Sequence, residues 1–109
     1  MESTDHPLLF KLGQPQFSTE RQQLLWHCPL SQEETESLAP LLMARLECQL
    51  GPVELGADRL FWPVTFEDTP LSLQYEALCE TLWLQPGETA EEGAEVVAFI
   101  AAQVRAEHV

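Results

Sequence analysis

The chain has 109 residues, with 18 acidic and 5 basic side chains and a formal net charge of -13. That length sets one domain around one core, and 45% hydrophobic residues against 21% charged is the composition of a folded protein despite the charge. Lys11, Arg21, Arg45, Arg59 and Arg105 are scattered among carboxylates, which argues against nucleic acid and anionic lipid as partners, since both need clustered cations. The field suits a basic protein partner, or a cationic segment of one.

The first residues carry Glu2 and Asp5 where a secretory leader would be basic. No apolar run approaches the ~18 residues that span a bilayer. Cys28, Cys48 and Cys79 form an odd set without close spacing, a pattern of reducing compartments and not of a disulfide framework. The expectation is a cytoplasmic protein that does not enter the membrane.

In chain order, Leu8 to Leu12 reads as an edge strand or loosely ordered arm, closed by Gly13 and Pro15. A second strand over Arg21 to His27 ends at Pro29. Ser31 with Glu34 makes a capping box, and Leu38, Leu41, Leu42 and Leu46 recur at helical spacing behind it. Gly51-Pro52 is the expected stop, and Cys48 falls within this first helix among leucines. Pro40 either kinks the helix or begins it.

From Asp58 the period becomes two. Leu60, Trp62, Val64 and Phe66 alternate with more polar positions, as do Leu71, Leu73, Tyr75 and Ala77 after the turn at Glu67-Asp68-Thr69-Pro70. These runs predict an antiparallel hairpin with one face buried. Pro63 places its strand at an edge or at a bulge. A third strand over Glu80 to Leu84 follows a turn near Ala77-Leu78. Pro86-Gly87 ends the sheet, and Thr89 with Glu92 caps a last helix whose inner face is Val96, Val97, Ile100 and Val104. Gly93 weakens only its first turns. Together these elements predict an α+β two-layer sandwich: an antiparallel sheet of four to five strands with two helices on one face. A single domain spans residues 1–109, with residues 1–20 as the edge strand or arm.

Common catalytic signatures are absent. The glycines are isolated, and there is no Gly-rich phosphate loop, nucleophile elbow, H-E-x-x-H or C-x-x-C pattern. Adjacent His27 and Cys28 on a strand point to opposite faces and cannot readily grip one ion. The acidic clusters mark turns and helix starts, where turn geometry and the helix dipole explain them. The expectation is no catalytic residue, no metal and no cofactor.

The aromatic residues carry more information. Phe61 and Trp62 must face opposite sides of their strand, and Trp83 is out of phase with Leu82 and Leu84. If register brings Phe61 and Trp83 near each other, the open sheet face bears an apolar patch bordered by acids, of the kind that marks protein contact. Phe61, Trp62, Tyr75 and Trp83 are the expected contacts, with Glu67, Asp68, Glu76 and Glu80 supplying the field.

The stretch Leu71-Ser72-Leu73-Gln74-Tyr75-Glu76, followed by Leu82-Trp83-Leu84, resembles a family of small acidic bacterial proteins whose domain has no assigned function. The resemblance covers Asp58 to the C-terminal helix and implies a bacterial cytoplasmic protein, with no activity to carry over. Size, acidity and the mixed pattern are also similar to type III secretion chaperones, small dimers that hold a partly unfolded effector. Those chaperones usually begin with a helix, where this chain has Pro7 and Leu8 to Leu12.

Two functional classes follow. The first is a non-catalytic protein-binding module, an adaptor or chaperone-like protein that uses its acidic surface and strand-borne aromatics. The alternative is a small enzyme or ligand-binding domain with a pocket between sheet and helices, drawing on Tyr75, Glu80, Cys79 and His27. A homodimer through the open sheet face is a third use of the same surface.

Overall fold

The computed structural model describes residues 9–87 and 90–107. Its elements in chain order are β1 (Gln16–Ser18), β2 (Gln23–His27), α1 (Gln32–Arg45), β3 (Gln49–Leu50), β4 (Glu54–Leu55), β5 (Arg59–Phe66), β6 (Thr69–Glu76), β7 (Thr81–Pro86) and α2 (Ala90–Glu107). The strands form one antiparallel sheet of 7 strands in the order β1-β2-β7-β6-β5-β3, with β4 also alongside β5. The α+β class is as expected, and the sheet is larger. The additional strands are two or three residues long, too short to show any periodicity.

Both helices bury their apolar sides in the core under one sheet face. Leu24 and Trp26 of β2, Leu60, Trp62 and Val64 of β5, Leu71, Leu73 and Tyr75 of β6, and Leu82 and Leu84 of β7 point into it. From above come Leu38, Ala39, Leu42 and Met43 of α1, with Val97, Ile100, Ala101 and Val104 of α2. Period two in the strands and period 3.6 in the helices place these residues, and their burial from water is the main stabilising term.

The first helix starts as its sequence implies. The Ser31 hydroxyl accepts from the Glu34 N–H, and the Glu34 carboxylate accepts from the Ser31 N–H, both at 3.1 Å. Pro40 lies exposed within a helix that runs unbroken around it. The stop comes earlier than Gly51-Pro52. Glu47 takes a left-handed φ of 61°, its N–H donates to Ala44 O at 3.1 Å, and the Cys48 N–H donates to Met43 O at 2.9 Å. That is a Schellman ending with glutamate in the position glycine usually holds. Cys48 therefore follows α1 and lies buried before β3, not within the helix.

Other departures have local causes. Within the expected 1–20 arm, Leu9–Lys11 is a short 3-10 turn, with Leu9 and Leu12 packed against the core, and the edge strand is β1 at Gln16–Ser18; residues 1–8 lie outside the described residues. The β5–β6 turn is only Glu67-Asp68, with φ of 47° and 71°, and Thr69 and Pro70 already belong to β6. Two left-handed residues match the twist of a two-residue hairpin. Pro63 sits where the edge breaks: Gly51, Pro52 and Val53 separate β3 from β4 opposite Trp62 and Pro63, and the Gly51 N–H donates to Pro63 O at 2.8 Å. A Cβ at Gly51 would lie 2.7 Å from Pro63 Cγ. Gly93 is buried on α2, where a Cβ would lie 2.8 Å from Pro86 Cβ, so it seats the helix on the end of β7 besides weakening a turn. Thr89, the expected cap of α2, lies outside the described residues.

Candidate protein-contact face

The sheet face away from the helices is built from the out-of-phase residues of five strands. The register aligns Glu54, Phe61, Gln74, Trp83 and Leu25 in one row across β4, β5, β6, β7 and β2. Phe61 and Trp83 thus stand two strands apart, about 10 Å, with Gln74 between them. Next to this row run Pro63, Ser72 and Gln85, joined by Gln23; on its other side run Arg59, Glu76, Thr81 and His27. Phe61, Trp83 and Leu25 are each half-buried.

Hydrogen bonds fix the polar part of the face. The Trp83 Nε1–H donates to Gln85 Oε1 at 2.8 Å, and Gln23 Nε2 donates to the same oxygen at 3.0 Å. Gln74 Nε2 donates to Ser72 Oγ at 3.2 Å, and Ser72 is buried although it lies on the outward phase of its strand. The indole is therefore oriented before any partner arrives. Charge lies at the margin, where Glu54 of β4 ends the row beside Phe61. Arg59 pairs with Glu76 at 3.6 Å, and His27 lies 3.7 Å from Glu80 in the following loop. Phe61, Pro63, Ser72, Gln74 and Gln85 line part of an open depression of about 470 Å³.

The expected contact residues divide accordingly. Phe61, Trp83 and Glu76 share this face, with Glu80 beside it. Trp62 and Tyr75 do not: they are 3% and 1% exposed in the core, in phase with their buried strand neighbours. Tyr75 donates its hydroxyl to Leu30 O at 2.5 Å, and burial raises its pKa. Glu67 and Asp68 are exposed at the β5–β6 turn, and Glu67 borders a depression on the helix side with Phe66 and Phe99. The acids therefore do not encircle the aromatic row. Leu25, Gln23, Gln74 and Gln85, which build much of the face, were legible only as the phase opposite to Leu24, Leu73 and Leu84.

Among the residues of the alternative pocket, His27 and Glu80 meet as an exposed pair at 3.7 Å. Tyr75 points into the core, while His27, Cys79 and Glu80 are exposed. His27 and Cys28 do face opposite sides: Cys28 is buried, with its sulfur 3.6 Å from Thr35 Oγ1. Burial raises the Cys28 thiol pKa, and burial with the Glu47 carboxylate pushes Cys48 up to about 11. Both thiols are protonated at neutral pH, the opposite of an activated nucleophile. Among the described residues no helix is long and apolar enough to cross a membrane.

No curated protein and no solved structure matches the chain. A family model described as a protein of unknown function (DUF3630) matches residues 12–105. The match takes in every strand, all of α1 and nearly all of α2, and it fits the resemblance carried by the Leu71–Glu76 and Leu82–Leu84 motifs. The chain belongs to the DUF3630 family of proteins of unknown function.

Proposed function

We propose that the protein is a non-catalytic binding module whose open sheet face engages another protein. The observation that carries this reading is the row Phe61–Gln74–Trp83–Leu25. It has the anatomy of an interface, with aromatic and aliphatic anchors at the centre, uncharged amides around them and charges at the margin. Trp83 is held by Gln85, so little side-chain freedom is lost on contact. The net charge of -13 favours a basic partner, through faster encounter more than through local pairing. The same charge opposes close approach of a second copy.

A tagged pull-down from native lysate at low and high salt, read by mass spectrometry, tests the proposal. The expected result is a stoichiometric basic protein whose capture declines with salt. Capture of no protein at either salt would contradict it.

A further inference from the structure

The helix side of the molecule carries a second depression that does not involve the open sheet face. Arg45 and Leu46 at the end of α1, Phe66 at the end of β5, and Phe99, Ile100 and Val104 of α2 enclose about 310 Å³. Phe99 is 53% exposed although it belongs to a helix that buries its other side. Its ring meets Phe66 at a centroid distance of 6.1 Å and an angle of 51°. Beyond those rings the hollow continues between Glu67, Glu95 and Val96. Past Leu46 and Val104 it continues to Leu9, Leu12 and Trp26. The three hollows follow α2 from Glu95 to Val104, a rise of about 14 Å.

The margin of this groove is acidic. Glu47, Glu67 and Glu95 border it, against Arg45 as its one cation among the described lining residues. An apolar floor under an acidic margin accepts apolar anchors flanked by lysine or arginine. A second copy of this chain fits poorly, because each copy carries a net charge of -13. The groove runs along α2 for roughly two and a half turns, which a helix matches by presenting anchors at i, i+3 or i+4, and i+7. We infer that the groove between α1 and α2 is a docking site for a cationic amphipathic helix of a partner protein. Because the sheet separates it from the Phe61–Trp83 row, both surfaces can be occupied at once, and the molecule can join two partners.

The test uses a synthetic 14-residue peptide of leucine and lysine patterned as an amphipathic helix, with a scrambled peptide of equal composition. Binding is read by titration, and its position by amide chemical shifts of the whole protein. The expected result is that the amphipathic peptide binds about tenfold or more tightly than the scrambled one, with shifts gathered at Leu46, Phe66, Phe99 and Gln103. Phe99→Asp should weaken it by a similar factor although that change adds negative charge, and Glu95→Lys should weaken it severalfold. Trp83→Ala should leave it unchanged. Equal binding of the two peptides, or undiminished binding to a folded Phe99→Asp variant, would overturn the inference. Loss of peptide binding in Trp83→Ala would overturn it as well, since the helix would then lie on the sheet face. A melting curve for each variant separates lost binding from lost fold.

Discussion

Trp62→Ala removes a side chain that is 3% exposed under the helices, and the expected cost is about 3–5 kcal/mol of stability. Phe61→Ala, one residue away, truncates a half-buried side chain on the opposite face and should cost less than about 1.5 kcal/mol. Urea melts of the two variants measure the difference, and equal losses would mean that the strand phase is misassigned. That phase was readable beforehand: Trp62 shares its period with Leu60, Val64 and Phe66, and Tyr75 shares its own with Leu71 and Leu73. Expecting both at the surface gave aromatic character priority over phase, and phase decides. Buried ionisable groups give a second test. The unfolded Cys48 thiol ionises near its ordinary 9.0, while the folded one holds its proton until about 11. Above 9.0 the unfolded state ionises first, so stability is full below that pH and declines as pH rises through the window. Cys28 and Tyr75, also raised by burial, act in the same direction. The Cys48 share of the loss is about 2–3 kcal/mol, and Cys48→Ala should flatten the decline in melts taken from pH 8 to 11.

Gly93→Ala sets two elementary effects against each other within α2. Helix propensity alone favours alanine by about 1 kcal/mol, but the new Cβ would lie 2.8 Å from Pro86 Cβ and 3.0 Å from Pro86 Cα. Relieving that contact moves the helix off the end of β7, so the expected net result is a loss of about 1–2 kcal/mol. A gain of stability on thermal melting would mean that α2 does not need the close approach. The elements themselves were largely legible, from the Ser31 and Glu34 cap, the leucine spacing of α1 and the alternation of β5 and β6. Their ends were not, and the reason is physical. The left-handed positions at Gln22, Glu47, Glu67, Asp68 and Glu80 are all occupied by residues other than glycine, whereas no described glycine has a positive φ. Turn signals read from glycine were therefore displaced from the turns, as at Glu47 against Gly51. Here Gly51 and Gly93 provide close approach instead of backbone freedom.

At the scale of the whole molecule, one sheet separates two surfaces of different chemistry. The open face is rich in amides, with an aromatic row at its centre, and the helix face has a phenylalanine-walled groove with an acidic margin. Fold class could be read from periodicity because the core follows it. The open face could not be read in full, because Phe61, Gln74, Trp83 and Leu25 lie far apart in sequence and meet only through strand register. The margin of the face was also misjudged, since carboxylates at a turn such as Glu67 can project to either side of a sheet. The proposed binding module meets its partner at the Phe61–Trp83 row. The most direct test compares the tagged native chain with a Phe61→Ala/Trp83→Ala double variant in the same low-salt pull-down, after both are shown to melt cooperatively. The native chain should retain a stoichiometric basic protein, and the folded double variant should lose most of it. Equal retention by both would contradict the assignment of the partner to the sheet face.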